Sequence, residues 1–418
     1  AAKSSIFDGR GGRQMKWPVL PLDRLCQIET GRTPLRAHPE YFGGDNIWVT
    51  ISDLNDDTVC ESKEHITDDA VAKTRMRSVP AGTVLLSYKL SLGKLGIAGT
   101  SLFTNEAIAS LLPRPGFDLV PKYLFYALKT VDYLALCHGA VKGKCLNRTS
   151  LCRILVPYPP PSEQRRIVEI LDQADALRKK RAEADAKAAR ILPALFYKMF
   201  GDPATNKDQT FQSLVDCAEI LMGQSPPGET YNREGDGLPF FQGKLEFGSV
   251  HPIVRQWCSS PTRIAEPGDV LLCVRAPVGP TNIADTKCAI GRGLAIIRPI
   301  PSKSTTEFLF YSMRVIEKDL AKIAQGSTFT AIRRQDVEKI RVPKAGMKEQ
   351  AAFSAKAKII QVLIDKGTTS INNIERLFIV LLHRAFTGDL TAKWREAHMK
   401  ELLQEMEQQA KELEIKEP

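Results

Sequence analysis

The sequence predicts an α+β fold built twice, each strand-rich globule being followed by a long helix. Three observations carry this reading: an internal repeat at a nearly constant offset, one change of texture per copy, and a three-four apolar spacing in the turn-poor parts. Together they describe two similar α+β globules in a pseudo-two-fold arrangement, separated by two long helices that pair with each other.

The repeat comes first, because a missed duplication misassigns the whole fold. Gly82-Thr83-Val84-Leu85-Leu86-Ser87-Tyr88-Lys89 reads against Gly268-Asp269-Val270-Leu271-Leu272-Cys273-Val274-Arg275 at an offset of 186. At the same offset Ala109–Pro113 meets Ala295–Pro299, Val156-Pro157 meets Val342-Pro343, and Glu163-Gln164 meets Glu349-Gln350. Tyr123–Tyr126 pairs with Phe308–Tyr311 and Phe200–Asp202 resembles Phe386–Asp389, with the register moved by one; Gly31-Arg32-Thr33-Pro34 matches Gly223-Gln224-Ser225-Pro226. Single echoes of this length arise by chance. A series in one order at nearly one offset does not, and a period this long means two copies of a domain rather than a solenoid.

Taken in chain order, residues 1–16 are polar and glycine-rich and are expected to lie outside the fold. Residues 17–158 and 206–343 hold short apolar runs, such as Ile47–Ile51, Val84–Leu86, Val270–Val274 and Leu294–Ile297, between Gly, Pro, Asn and Asp. These are strands and turns, punctuated by single helices predicted at Pro121–Leu136 and Ser304–Ala324. Residues 159–205 form a central helical spacer, and residues 344–418 a C-terminal helical spacer and tail. Ser162 is the predicted N-cap of the first. Its seam runs Ile167, Ile170, Ala174, Leu177, Arg181, Ala184, Ala188, Ile191 and Leu195; the second runs Phe353, Lys356, Ile360, Leu363, Gly367, Ser370, Ile374, Leu377 and Leu381, both at coiled-coil spacing. Arg181 and Gly367 weaken the middle of each seam, Gly by about 1 kcal/mol. Neither helix is expected to stand alone, and an unbroken first helix from Glu163 to Phe200 reads as a spacer.

Composition bounds the function. The chain has 418 residues, 43% hydrophobic and 25% charged, with 58 Lys+Arg against 48 Asp+Glu for a net charge of +10. Such a chain buries sizeable cores and is not disordered. The excess positive charge suits a polyanion partner only modestly by itself. Nine scattered cysteines, with no Cys-x-x-Cys pair and no His at zinc-ligand spacing, predict buried thiols of a reducing compartment and no metal site. No apolar run approaches a membrane span and no signal-peptide core is present, so a cytoplasmic location is expected.

The location of the charge says more than its sum, since residues 1–158 and 206–343 carry +7 of it. Acid-free stretches hold Lys73, Arg75, Arg77, Lys89 and Lys94, then Lys142, Lys144, Arg148 and Arg153; the second copy has Lys287, Arg292, Arg298 and Lys303, then Arg333-Arg334. Several sit in glycine turns, where backbone amides and cationic side chains can approach phosphates and Arg or Lys can bond guanine edges. The DNA-contact candidates are Lys89, Lys94, Lys142, Lys144 and Arg148 in the first globule, and Lys244, Arg275, Arg292, Arg333 and Arg334 in the second. Lys89 and Arg275 correspond by offset. Catalytic residues are not predicted: the methyltransferase Asn/Asp-Pro-Pro-aromatic motif, the Gly-x-x-x-x-Gly-Lys-Ser/Thr loop, His-Glu-x-x-His and Gly-x-Ser-x-Gly are all missing.

The Gly31–Pro34 turn, the Gly82–Lys89 strand, the Leu151–Pro159 approach and the Glu163-Gln164 helix start, each repeated in the second half, resemble the specificity subunit of type I DNA restriction-modification systems over about residues 17–390. The resemblance implies that each globule is a target-recognition domain reading one half of a split site in double-stranded DNA. It implies that the helices form an antiparallel coiled coil that fixes the half-site spacing and docks two methyltransferase (modification) subunits. Those partners would hold S-adenosylmethionine, this chain holding no cofactor itself, and restriction subunits (translocase/endonuclease) would join the complex. A fused restriction or modification enzyme, and a coiled-coil adaptor for proteins only, are the alternatives.

Overall fold

A computed structural model describes residues 17–136, 146–202, 210–325 and 331–414. The chain divides into two compact units, Ala1–Lys179 with Asn372–Pro418, and Lys180–Ile371. These units do not follow the sequence boundaries of globule and spacer. Each takes its own globule, the start of the helix after it, and the end of the other long helix.

In the first unit a five-stranded sheet runs in the order Cys26–Thr30, Ile108–Pro113, Val84–Ser87, Leu95–Ala98, Asp57–Val59. Only its last pair is parallel. Val84, Leu85 and Leu86 are all apolar because both faces of their strand are buried: Val84 and Leu86 join the larger core with Leu111 and Tyr123, while Leu85 faces Val49, Leu54 and Ile108. Alternation of side chains along a strand makes that division. A three-stranded sheet of Glu64–Ile66, Phe42–Val49 and Phe103–Thr104 lies in the same unit, and Val19–Pro21 pairs with Leu155–Pro157 where the globule begins and ends.

The second unit repeats the plan. Its four-stranded sheet runs Ala218–Met222, Leu294–Pro299, Val270–Cys273, Thr281–Ile283, and Phe211–Ser213 pairs with Arg341–Pro343. Val84 opposite Leu111 becomes Val270 opposite Ile297, and Leu86 opposite Ala109 becomes Leu272 opposite Ala295. The duplication is therefore kept at the level of individual strand pairs. A five-stranded sheet of short strands, Tyr231–Asn232, Trp257–Cys258, Leu238–Phe241, Cys288–Ile290 and Ile264–Ala265, completes this globule.

The helix predicted to Leu136 ends at Leu128, where the Asp132 carboxylate accepts from the backbone N–H groups of Leu134 and Ala135 and builds a turn instead. Its counterpart is two helices, Thr306–Val315 and Glu317–Gln325. The first long helix is also broken, into Pro161–Ala188 and Ile191–Phe200. Pro193 explains this, because it has no N–H for the Ala189 carbonyl and its ring crowds that carbonyl. The helix begins at Pro161, so Ser162 lies within its first turn rather than capping it, and its N–H and hydroxyl donate to Glu405. The second long helix, Met347–Thr387, runs unbroken through Gly367. Gly367 is buried beneath the Arg181–Asp185 pair, which a Cβ would strike.

Within each unit the helices run antiparallel. In the first, Thr391 meets Glu163 while Glu375 meets Arg178, whose guanidinium also lies 4.8 Å from the Phe378 ring. In the second, Phe353 packs on Phe196 at 5.5 Å while Gly367 meets Arg181. The buried seam follows the predicted one only in part. Leu177, Ile191, Leu363 and Leu377 are 49 to 62% exposed, whereas Leu171, Arg178, Leu192, Phe196, Ala357, Ile364 and Phe378, outside the predicted seam, are buried or half-buried, as is the predicted Ile170. Ile167, Ala174, Leu195, Phe353, Ile360, Ile374 and Leu381 are buried or half-buried. A straight helix of 3.6 residues per turn drifts from a strict heptad, and the polar middle of both helices gives the register nothing apolar to hold.

Two glutamines lock the helices to their globules. The Gln164 carbonyl accepts from the Val120 N–H at 2.8 Å, and its amide donates to the Asp118 and Pro159 carbonyls. Gln350 repeats this with the Thr305 N–H at 2.9 Å and the Lys303 and Ala345 carbonyls. Both side chains are fully buried. Glu163 is used differently from its counterpart Glu349. It accepts from Trp17 Nε1 and Thr391 Oγ1 and pairs with Arg395 at 3.3 Å, which ties the helices Ala392–Ala397 and Met399–Glu414 to the first unit. Residues 392–414 are thus folded helix rather than a trailing tail.

Burial holds the Glu163 carboxyl above the usual carboxylate range, its hydrogen bonds and Arg395 offsetting only part of that cost. A raised folded-state value means stability that is present below the ordinary carboxylate range and lost as pH rises through the folded value. Melting curves of the native chain should therefore show this loss. In Glu163→Gln, which cannot ionise here, the corresponding slope should be missing.

Candidate nucleic-acid interface

The Lys89 and Arg275 turns are built by the same backbone bonds. In the first globule Ser87 N donates to Lys94 O, Gly93 N to Ser87 O, Tyr88 N to Ala107 O, and Leu146 N to Tyr88 O. In the second, Cys273 N donates to Pro280 O, Gly279 N to Cys273 O, Val274 N to Gly293 O, and Ile332 N to Val274 O. Every one of these partners is displaced by 186 residues. Each globule therefore presents a hairpin turn beside the segment that carries Arg148 in one copy and Arg333-Arg334 in the other.

In the second globule these bonds gather four basic loops at one end of the sheet. Val274 joins the Arg275 turn to the Gly291–Gly293 loop, Ile332 joins it to the Arg333 segment, Gly291 N donates to Phe241 O ahead of the Lys244 turn, and Arg292 N donates to Ser225 Oγ in the Gly223–Pro226 turn. Lys244, Arg275, Arg292 and Arg333 are exposed and make no ion pair among the described residues. Unpaired cations on one loop cluster form an electrostatic footprint suited to a polyanion. Arg334 differs, pairing with Glu338 at 2.7 Å. Arg298 and Lys287 leave the acid-free group as well: Arg298 clamps the buried Asp269 at 2.7 Å, which raises its own proton affinity, and Lys287 pairs with Glu266.

In the first globule Lys89 is half-buried with its ammonium 5.3 Å from the Tyr88 ring, and Lys94 is exposed on the far leg of the same turn. Leu90 at the tip is 82% exposed and has φ +62°, an apolar side chain at a position that favours glycine. Lys142 and Lys144 lie outside the described residues. Arg148 is exposed and donates to the Ile28 carbonyl at 3.2 Å. It lines a groove of about 300 Å³ with Arg32, Arg75, Arg77, Thr104 and Ser110. The sequence signal for this groove was divided between the Gly31–Pro34 motif and the acid-free run around Arg75, and only the folded sheets join them.

Among the described residues no group of three or more His, Cys, Asp and Glu side chains could hold a metal ion. Cys26, Cys273 and Cys288 are buried, which pushes their thiols up to about 12, and Cys217 to about 11. Those four do not act as nucleophiles near neutral pH. Cys60 is exposed and Cys152 half-buried, unlike the uniformly buried thiols expected.

The model of the type I restriction modification DNA specificity domain matches residues 14–185 and again 207–376. The chain belongs to this family. It is similar to the type I restriction enzyme MjaX specificity subunit of Methanocaldococcus jannaschii, with 32% identity over 90% of this chain and 94% of that one. The MjaIX specificity subunit of the same organism is 30% identical over 56% of this chain and 54% of that one. Among solved structures, a chain from a study of complex assembly and conformational transition in the type I R-M system is 28% identical, covers 90% of this chain and 98% of its own, and has a TM-score of 0.59. The S subunit of a type I restriction-modification system from M. genitalium, 14% identical, shares the fold over 89% of this chain and 96% of that one with a TM-score of 0.54. As a member of the specificity family the chain carries two recognition domains, and the two basic hairpin turns are one feature of the domain met twice.

Proposed function

We infer that this chain is the DNA-reading specificity subunit of a type I restriction-modification complex, each globule reading one half of a bipartite target in double-stranded DNA. The observation that carries this is the pair of equivalent hairpin turns bearing Lys89 and Arg275, with the unpaired cations of the second globule gathered around one of them. Lys94, Lys142, Lys144 and Arg148 extend the surface in the first domain, and Lys244, Arg292, Arg333 and Arg334 in the second. The long helices set the half-site spacing and dock two methyltransferase subunits, and the exposed Leu177, Ile191, Leu363 and Leu377 supply apolar area for those contacts. S-adenosylmethionine belongs to these partners, the chain itself being non-catalytic, and restriction subunits join the assembled complex. The chain works in the cytoplasm with its DNA; among the described residues no helix is long and apolar enough to cross a membrane.

Incubation with labelled S-adenosylmethionine and duplex DNA separates a reader from an enzyme. Label should enter DNA only when methyltransferase subunits are added, and transfer by the purified chain alone would contradict a non-catalytic role.

A further inference from the structure

The groove of the first globule is built in a way its fold does not require. Its rim holds Arg32, Arg75, Arg77 and Arg148, against which the acid of its lining, Glu29, neutralises one through its 2.8 Å pair with Arg77. Its lining includes the hydroxyls of Thr104 and Ser110, residues 2% and 1% exposed, and neither hydroxyl oxygen has a hydrogen-bond partner among the described residues. Buried polar atoms are normally paired, and each one left open calls for an explanation. Gly31 passes so close to the Thr104 carbonyl and hydroxyl that no Cβ would fit there, which lets the Arg32 N–H reach the Thr104 carbonyl at 2.9 Å.

Arg75 adds a separate sign. It ends the helix Asp68–Thr74 in the left-handed conformation, φ +51°, where glycine is the favoured residue. Holding a β-carbon and a guanidinium there is a strain that function can explain.

The second globule serves as an internal control. The strand pair Glu29–Ser110 becomes Leu221–Ile296 there, both within or against an apolar core, and Arg32 becomes Gln224 in the matching turn. One fold thus exists with the polar groove and without it.

We propose that this groove is a phosphate-binding pocket of the first globule, with the arginines at its rim holding the oxyanion and the Thr104 and Ser110 hydroxyls donating to it from below. Rigid guanidinium forks match phosphate oxygens, and hydroxyls without acceptors supply the remaining donors. The favoured source is a backbone phosphate of the DNA, an assignment that rests on the reading function above; a phosphate-bearing small molecule has the same chemistry.

Inorganic phosphate titrated into the full chain tests the pocket, followed by calorimetry and by tryptophan fluorescence, since the Trp48 indole donates to the Arg32 carbonyl at 3.1 Å. The native chain should bind phosphate, and Arg75→Gly and Ser110→Ala should each weaken it by about fivefold or more, as expected for a charge-assisted contact. The unfolding midpoint of Arg75→Gly should stay level or rise, because glycine suits that backbone; a purely structural arginine would lower it. In a parallel arm with duplex DNA, Arg75→Gly should reduce the dependence of log affinity on log salt by about one. Weakened phosphate binding with unchanged DNA affinity would support the pocket and assign it to a small molecule. Phosphate binding by a chain that bound no DNA would likewise support the pocket while refuting the DNA-reading function. No phosphate binding by the native chain, or binding untouched by both variants, would overturn the proposal.

Discussion

Gln350→Leu is expected to destabilise the second unit by about 3 kcal/mol or more, since it strands three backbone groups that each cost roughly 1 to 3 kcal/mol when left buried and unpaired. The groups are the Thr305 N–H and the Lys303 and Ala345 carbonyls. Leucine fills the volume but bonds none of them. Hydrogen exchange read by peptide locates the effect: protection should fall across Lys180–Ile371, while Gln164→Leu should place the loss in the first unit. Equal protection in the variant and the native chain would mean that the helix is held by its apolar seam alone, and the glutamine clamp would have no energetic role.

The second large effect falls on binding. Arg275→Ala combined with Arg292→Ala should weaken affinity for the cognate duplex by at least about tenfold and, if both side chains contact phosphates, lower the slope of log affinity against log salt by about two. A guanine-reading arginine would instead cost roughly 1 to 3 kcal/mol at one base position and relax specificity there. Arg298→Ala is the contrast within the same globule. Asp269 is 3% exposed, and removing its partner leaves a buried charge, a loss of about 3 to 5 kcal/mol for a fully buried pair, discounted here because Arg298 is one-third exposed. Binding by the double variant and its salt dependence at native level would remove the Arg275 loop cluster from the interface.

Where the sequence was informative, a local pattern and a long-range one agreed. Val84 and Val270 correspond in apolar runs because a strand buried on both faces carries apolar residues in succession, and the same residues pair with Leu111 and Ile297 in the sheets. Gln164 and Gln350 stood out as repeated helix starts, although nothing local shows that their amides reach helix N-caps and loops more than 40 residues away. The seam was harder. Leu177 and Leu377 satisfy three-four spacing as well as Arg178 and Phe378 do, and only packing of the Arg178 guanidinium on the Phe378 ring selects the latter pair. Charge clusters divided for a similar reason: Arg292 and Arg298 are six residues apart, yet one is exposed on a loop and the other is bound to Asp269 just ahead of a neighbouring strand. The arginine groove was hidden because Arg32, Arg75 and Arg148 come from segments that meet only after the sheets form.

Methylation-site mapping tests most directly the claim that each globule reads one half of a bipartite site. Cells carrying the complete system would express either the native chain or the Arg275→Ala/Arg292→Ala variant. The native chain should direct methylation to a split motif with a fixed spacer, and the variant should relax or lose only the half read by the second globule. An unsplit motif, or one whose two halves degrade together, would contradict the account.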